Sequence, residues 1–529
     1  MMFMVLQMIA FVALMVLLYC NITKFLHVFQ QSFYHVEEFF HSLKTSRAYL
    51  PNWTEILLCV VALGMVMVSS SFWKYVGIVA IVLCTLLRIN QYRRDKKNVK
   101  KKFVITTRVK LTYGACFLLC VLVCFGIYTL SGLEALLVSF AFSKWISMVL
   151  VLVGNVVIFP ILTWSNNKYI KEAKQIIKDS PELKVIGITG SYGKTSTKNI
   201  ITGILESKYS TVMTPKSYNT TLGVVKTIRE EIKPYTQVFV CEMGATRIKD
   251  IQKICEIVPP DISVITAIGS QHLATFKTME NIVQGKFEII KYAKKGAKAV
   301  LNMDNLWIAS HYQNYIQEDD VISYAIHSQD KSISVQNIHM DENGSNFTVI
   351  LKGEKIEIET RLLGKHNIYN ILCGIAVAKE LGMEKEEIQK AVKKLRPIPH
   401  RLELKNMGGI LALDDSFNSN PEGSKMAIEC LCMFQERYKV LVTPGMVELG
   451  SKEYELNKKL GEYATKCDFV LLVGRKTTQA IQEGMDSLGY QKYKIVENLY
   501  EAFEVLTKMK EKYPNLIALF ENDLPDCYS

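Results

Sequence analysis

The run Val185-Ile-Gly-Ile-Thr-Gly-Ser-Tyr-Gly-Lys-Thr-Ser-Thr197 constrains this chain more than any other segment. It begins as a short apolar strand, breaks at Gly190 and Gly193, and passes through Lys194-Thr195-Ser196 into a helical pattern. Strand, tight loop and helix start in that order commit the surrounding chain to an α/β layer built on a parallel sheet. The backbone N–H groups of such a loop, with the positive end of the helix dipole, hold phosphate oxygens. Gly190, Ser191, Tyr192, Gly193, Lys194, Thr195 and Ser196 are therefore the candidate phosphate-binding residues. Lys194 is placed to reach the outer phosphates and the Thr195 hydroxyl to ligate Mg²⁺. The spacing is tighter than in the common GxxxxGK[ST] loop. Ile188 stands where that pattern has its first glycine, which leaves Gly-x-x-Gly-Lys-Thr from Gly190 to Thr195.

Apolar residues make up 49% of the 529, and their uneven distribution divides the chain. Residues 1–165 hold nearly all the long hydrophobic runs, and the rest reads as a soluble α/β protein. Five membrane spans are expected: Met1–Tyr19, 54–72, 75–89, 111–131 and 140–164, the second and third forming a hairpin at Trp73-Lys74. The first run lacks the basic start and small-residue cleavage site of a signal peptide, so it reads as a helix that stays in place. The net charge of +12 is also local. Between Gln91 and Lys110 stand nine basic residues against one acid, Asp95. Tyr92 and Phe103 are its only aromatic residues, short of the interleaving a nucleic-acid surface would require, and the run lies between hydrophobic spans. It reads as a cytoplasmic loop under the positive-inside rule, able to meet membrane lipids. Two spans later the chain returns to the cytoplasm at Asn166, which puts the phosphate loop where ATP is. The 13 cysteines include no C-x-x-C pair; they read as small buried hydrophobes in a reducing compartment.

From Lys184 onward, strand-like runs at Val185–Ile188, Val238–Cys241, Ile262–Thr266 and Ala299–Leu301 alternate with helical stretches such as Ser196–Glu206 and Met279–Ala293. This is the pattern of a parallel sheet with helices on both faces. Residues 320–360 change to a β-meander, with strands at Ile333–Met340, Asn346–Leu351 and Lys355–Thr360. A helix follows at Asn367–Leu381. A second α/β unit opens near Pro397, with strands at Ile410–Leu413, Lys439–Thr443, Phe469–Val473 and Leu516–Phe520. The expected architecture is an α-helical membrane segment (1–165), a P-loop parallel-sheet ATPase domain (183–396) and a C-terminal, Rossmann-like α/β domain (397–529).

Further polar signals follow the phosphate loop in a fixed order: Thr214-Pro-Lys-Ser-Tyr-Asn-Thr-Thr-Leu-Gly223, Val240-Cys-Glu-Met-Gly244, Thr266-Ala-Ile-Gly-Ser-Gln-His-Leu273, Gly285-Lys-Phe-Glu288, Leu301-Asn-Met-Asp304, Leu363-Gly-Lys-His-Asn-Ile-Tyr-Asn370, His400-Arg401, Asp414-Asp-Ser-Phe-Asn-Ser-Asn-Pro421 and Pro444-Gly-Met-Val-Glu-Leu-Gly450. Taken singly each is ordinary. Glu242 reads as a solvated strand-end acid, His272 as a structural histidine, Lys286 as a surface lysine, and Asp414-Asp415 as a helix cap and turn. Their joint order resembles the Mur ligase family of ATP-dependent amide-forming enzymes over about residues 183–515. It is most similar to the branch that adds D-alanyl-D-alanine to a UDP-linked muramoyl tripeptide.

That resemblance implies ATP and Mg²⁺ as cofactors, with Lys194 and Thr195 serving the phosphates and the metal. It implies Glu242 and His272 as metal ligands, and Lys286 as a lysine converted by CO₂ to a carbamate that helps hold a second Mg²⁺. Asn367, Asn370, Arg401 and Asp415 match family positions around the nucleotide, and Asn302 and Asp304 the adenine-side pair. Lys194, Glu242, His272, Lys286 and Arg401 are thus the candidate catalytic set. A C-terminal domain carrying Asp415 and Glu448 is expected to close over the cleft. The implied partners are a cell-wall precursor, UDP-linked or lipid-linked, and an amino acid or dipeptide. The implied location is the plasma membrane of a bacterium, multi-pass, with the catalytic domains cytoplasmic.

Two departures from the family stand out. Membrane spans replace the usual soluble domain that grips the UDP end of the substrate. The usual small-residue and basic motif near the acceptor site is replaced by Phe520-Glu-Asn-Asp-Leu-Pro-Asp526. Two other readings therefore stand beside the cell-wall ligase. One is a membrane-tethered ligase building a non-peptidoglycan or lipid-linked peptide or polymer. The other is a membrane scaffold that binds nucleotide without catalysis.

Overall fold

The computed structural model describes residues 2–522 except 33, 46–52, 67–70, 98–102, 217, 352, 417–418, 448, 450–451 and 476–477. It falls into two compact units, Met1–Asn167 and a second that begins at Lys168.

The first unit is helical: Met2–Gln31, Val36–Thr45, Trp53–Val66, Ser71–Lys97, Thr107–Ala141 and the start of Ser143–Lys178. Among the described residues, three stretches are long and apolar enough to cross a membrane, Phe11–Gln31, Val76–Arg94 and Ser143–Lys178, and Glu55–Gly64 is a shorter apolar helix. The expected first span thus shifts from Met1–Tyr19 toward Gln31, because the helix continues past the most apolar run. Trp73 and Lys74 lie inside the helix that starts at Ser71, not at a hairpin turn. The expected span 111–131 falls within Thr107–Ala141, where the side chains of 124 and 127–138 are outside the described residues. Leu14, Leu17, Phe25, Phe29 and Phe39 fill the interior of this unit. Val156, Phe159, Ile161 and Trp164 of the last helix point outward. The buried charged side chains Glu55, Arg88 and Lys144 are paired: Lys144 Nζ donates to Glu55 Oε2 at 2.8 Å, and Arg88 lies 3.3 Å from Glu55 Oε1 and donates to Asn21 Oδ1 at 3.3 Å. Charge inside an apolar bundle persists only when paired in this way.

The second unit contains two sheets. The larger has nine strands: β1 (Lys184–Thr189), β2 (Thr211–Met213), β3 (Val238–Glu242), β4 (Ile262–Ile265), β5 (Lys298–Asn302), β6 (Val321–Tyr324), β7 (Ile333–Asp341), β8 (Gly344–Leu351) and β9 (Glu354–Thr360). Their order is β2-β3-β1-β4-β5-β6-β7-β8-β9. Pairing is parallel from β2 to β7 and antiparallel from β7 to β9. The meander read from the sequence is present, but it extends the parallel sheet through Tyr324 against Ile333. Side chains alternate across this sheet as period two demands. Ile186, Ile188, Val238 and Val240 face the helices Lys194–Leu205 and Lys365–Glu380. Val185, Phe239 and Cys241 face Met279–Lys291 and Thr221–Glu231 on the other side.

The smaller sheet holds β10 (Glu403–Met407), β11 (Ile410–Asp415), β12 (Tyr438–Thr443), β13 (Phe469–Val473), β14 (Tyr493–Val496) and β15 (Leu516–Glu521), ordered β10-β11-β15-β12-β13-β14. All pairs are parallel except the β10–β11 hairpin. In both sheets the connection order reverses beside the strands that carry polar ends, β1 in the larger and β15 in the smaller. Such switch points form the ligand crevice of open α/β sheets.

Candidate functional site

β1 delivers the chain into the loop Gly190–Gly193, and the helix Lys194–Leu205 starts at once. Gly190 has φ +149°, and a Cβ there would lie 2.1 Å from Thr266 Oγ1. Only glycine passes between the loop and the end of β4. Ser191 ties the loop to the same strand end: its N–H donates to Ala267 O at 2.7 Å and its hydroxyl to Gly269 O at 3.0 Å. Lys194 Nζ donates to Gly190 O at 2.6 Å and Ser191 O at 3.3 Å, so the ammonium lies over the loop. Burial pushes it below the ordinary lysine range, and Arg401 adds to this against the pull of Glu242.

Glu242, the last residue of β3, is not the solvated acid that the isolated residue suggests. It is 1% exposed. Thr195 Oγ1 donates to its Oε2 at 3.1 Å, and Asn219 Nδ2 to its Oε1 at 3.1 Å. Lys198 forms an ion pair with Oε2 at 3.0 Å and also donates to Lys216 O. Lys198 was not singled out in the sequence. The signal was available, since a lysine four residues after Lys194 on one helix shares its face.

Lys286 is likewise not a surface lysine: it is 2% exposed, within the helix Met279–Lys291. Its Nζ donates to Ala245 O at 3.3 Å and lies 5.8 Å from the centre of the Phe276 ring. Burial, reinforced by Lys194, holds its amine well below the usual lysine range, against Asp250 and Glu288. His272 has φ +60° and begins a short helix, Leu273–Phe276. Burial and then the charges of Lys286 and Lys194 push its imidazole down to about 4, so it is neutral at pH 7. The Thr195 hydroxyl and the Glu242 carboxylate are hard oxygen donors of the kind Mg²⁺ accepts, alongside water and phosphate. Among the described residues no group of three or more His, Cys, Asp or Glu side chains is gathered as a metal cage. The protein atoms therefore suit an ion that completes its shell with a nucleotide.

Beside this cluster opens a cleft of about 490 Å³. Tyr192, Gly193 and Ser196 line it from the loop, Asn302 and Asp304 from the end of β5, Asn370 from the helix Lys365–Glu380, and Arg401 and Asp415 from the second α/β half. Asn367 lies behind this wall. It donates to Leu363 O at 2.8 Å, and its Oδ1 accepts from Asn370 Nδ2 at 3.4 Å. Asn370 Oδ1 accepts from Thr197 at 2.8 Å, which fixes that helix to the phosphate-loop helix. Asp304 Oδ2 accepts from the Ile326 N–H, the His327 N–H and the Tyr369 hydroxyl, so one of its oxygens is committed to shaping the wall.

Arg401 stands between two residues with left-handed backbone, His400 (φ +61°) and Leu402 (φ +49°). Strain of this kind concentrates where a side chain must be aimed. The Leu402 N–H donates to Asp415 Oδ1 at 3.2 Å, and His400 Nδ1 lies 2.7 Å from Asp414 Oδ2. Burial, with the nearby charge of Glu521, raises Asp415 to about 7, against Arg401. Glu521 ends β15 in register beside Asp415. It is buried and accepts from the hydroxyls of Ser419, Ser424 and Thr443. The first acid of the tail thus closes the floor of the second sheet, a role the sequence did not disclose. Glu448 lies outside the described residues.

The chain matches two family models: Mur ligase middle domain over residues 188–378, and Mur ligase, glutamate ligase domain over residues 400–518. Together they cover more than half of the 529 residues. It is 30% identical over 305 residues to the UDP-N-acetylmuramoyl-tripeptide–D-alanyl-D-alanine ligase of Bacillus subtilis, covering 55% of this chain and 63% of that relative. The Buchnera aphidicola enzyme of the same name is 29% identical over 343 residues, covering 64% of this chain and 72% of the relative. Among solved structures, MurF from Acinetobacter baumannii superposes with a TM-score of 0.61 at 24% identity, over 67% of this chain and 76% of that one. MurF ligase from Thermotoga maritima in complex with ADP gives 0.61 at 24%, over 68% and 81%. The chain therefore spans just under two thirds of the Bacillus relative and shares its fold with the solved ligases. With a glycine loop, a buried carboxylate and a cleft shared by two α/β halves in the order both models require, the chain belongs to the Mur ligase family.

Proposed function

We propose that this chain is a membrane-tethered, ATP-dependent ligase that forms an amide bond through an acyl phosphate, joining D-alanyl-D-alanine or another amine to a cell-wall precursor peptide. The observation that carries the reading is the gathering of Lys194, Thr195 and Glu242 next to Tyr192, Gly193 and Ser196, which line a cleft that both matched segments share. A carboxylate is a poor electrophile until it accepts the γ-phosphoryl group. That transfer spreads charge over phosphate oxygens, which fixed cations stabilise without rearrangement. Lys194 and Arg401 are such cations, desolvated and already positioned. Thr195 and Glu242 would hold Mg²⁺, whose charge would further neutralise the phosphates. The amine then attacks the acyl carbon and expels phosphate, and a buried cleft protects the intermediate from water.

Lys286 suits the carbamate reading. A lysine attacks CO₂ only as the neutral amine, and burial beside Lys194 favours that form. Asn302, Asp304, Asn367, Asn370 and Asp415 are proposed as the nucleotide side of the cleft. The apolar outward side chains of the helix Ser143–Lys178 support attachment to a membrane, and the nine basic residues between Gln91 and Lys110 support a cytoplasmic side for the rest of the chain. The outward apolar side chains also favour a second reading of the acceptor, as a lipid-linked peptide. The test is phosphate release by the purified full chain with ATP and D-alanyl-D-alanine, offered a UDP-linked or a lipid-linked muramoyl tripeptide. Amide product with either acceptor supports the ligase, and the preferred acceptor decides between the readings. Nucleotide binding with no turnover on either would leave the scaffold.

A further inference from the structure

The buried carboxylate of this site already has a cation. Lys198 Nζ lies 3.0 Å from Glu242 Oε2, and both side chains are 1% exposed. The ammonium also donates to Lys216 O, in the loop after β2. Asn219 of the same loop holds the other carboxylate oxygen at 3.1 Å, and its carbonyl accepts from the Gly244 N–H at 2.7 Å. Lys198 therefore binds three separate pieces together: the phosphate-loop helix, the end of β3 and the loop 214–220. Glu242 also feels Lys194 and Arg401, so one carboxylate faces three positive side chains.

We propose that Lys198 is a positioning residue whose ammonium holds the cation place on Glu242, so that a divalent ion enters this site only together with the nucleotide polyphosphate. The inference rests on the nucleotide reading above. Before nucleotide arrives, a divalent ion at Glu242 meets the charges of Lys198, Lys194 and Arg401, which Glu242, and Asp415 beside Arg401, offset only in part. Polyphosphate reverses the sign of the field that remains. The ion is then attracted, while Lys198 keeps one lone pair of Glu242 and Asn219 keeps the carboxylate oriented. Electrostatics decides the sign of the effect of removing Lys198. Thr195 and Asn219 still orient the carboxylate, whereas the loss of a unit charge a few ångströms from a divalent ion changes its affinity by well over tenfold, at an effective dielectric constant of about 20.

The test is Mn²⁺ binding to the detergent-solubilised full chain, followed by the loss of the free-ion EPR signal, with and without ADP. Wild type should bind Mn²⁺ at this site only when ADP is present. Lys198→Met should bind Mn²⁺ without nucleotide at least tenfold more tightly than wild type, and Lys198→Met/Glu242→Gln should lose that binding. Lys198→Arg, which keeps the charge, should behave as wild type. Tight Mn²⁺ binding by wild type without ADP overturns the inference, and needs no variant to fold. So does a Lys198→Met protein of native melting temperature that gains no binding, or a double variant that retains it. If ADP does not bind at all, the nucleotide reading itself fails, an outcome distinct from each of these.

Discussion

Replacing Gly190 with alanine tests whether the loop geometry underlies nucleotide binding. The residue has φ +149°, and an alanine Cβ would stand 2.1 Å from Thr266 Oγ1, 3.0 Å from Ala267 O and 3.1 Å from Ala267 N. Two of those three atoms are backbone. The third belongs to a hydroxyl held within hydrogen-bond reach of two carbonyls, Tyr192 O and, at 3.2 Å, Thr189 O, so it is not free to swing away. Backbone strain costs about 1–3 kcal/mol, and the overlap adds about 1–3 kcal/mol. The chain escapes this total of about 2–6 kcal/mol by opening the loop, which removes the aligned N–H groups that hold phosphate. At about 1.4 kcal/mol per tenfold, ADP affinity should fall by roughly 30-fold or more. The assay is titration of the purified full chain with a fluorescent ADP analogue, beside a thermal melt. Gly296→Ala is the control, since Gly296 has φ +78° but nothing within 4 Å of its Cβ position. It should lose only about 1–2 kcal/mol of stability and bind ADP normally. A Gly190→Ala protein that binds ADP within threefold of wild type would refute the argument.

Other consequences follow from the same geometry. Lys194→Ala, Thr195→Ala and Glu242→Ala should each lower phosphate release by roughly 10²–10³; wild-type turnover in Lys194→Ala excludes its role at the phosphates. Lys286→Ala should be nearly inactive and partly restored by small added carboxylates, whereas a lysine with a purely packing role would show no such rescue. Asp415 should make stability depend on pH. Its folded pKa of about 7 lies above the ordinary 3.8, so the proton it holds stabilises the fold fully below about pH 4, and that contribution is lost as pH rises through 7. Melting curves of wild type should therefore fall relative to Asp415→Asn between about pH 4 and 7 and run parallel above that, and curves parallel throughout would show that Asp415 does not titrate in this range.

The parts of the site that lie close together in sequence were legible there. The strand, glycine loop and helix at 184–205 follow from apolar run, glycine spacing and helix periodicity, and the structure reproduces them within two residues. The strand-end positions of Glu242 and Asn302 follow from short apolar runs that stop at a polar residue. What was not legible depends on pairing between distant segments. The isolated Lys286 reads as a surface lysine, because nothing in Gly285-Lys-Phe-Glu288 shows that the helix turns this face toward Ala245 and Phe276. Glu521 had no account, because β15 enters between β11 and β12 and brings the tail beside Asp415 across more than a hundred residues. The short strands β6, β10 and β14 also escaped notice, and β2 was legible only as a strand before the polar loop at Thr214. Each is three to five residues long, too short for a period-two pattern to stand out. In the helical unit, hydropathy located apolar stretches but not their ends, since helices such as Ser71–Lys97 run on into charged sequence.

The central claim is that ATP is spent to activate a carboxylate for amide formation. It is tested most directly by isotope transfer. A UDP-linked muramoyl tripeptide carrying ¹⁸O in its terminal carboxylate is incubated with ATP, D-alanyl-D-alanine and the purified full chain, and the released phosphate is analysed by mass. An acyl phosphate intermediate moves one ¹⁸O from the carboxylate to each phosphate released, in step with amide product, and Lys194→Ala abolishes both. Amide product accompanied by unlabelled phosphate would contradict the account.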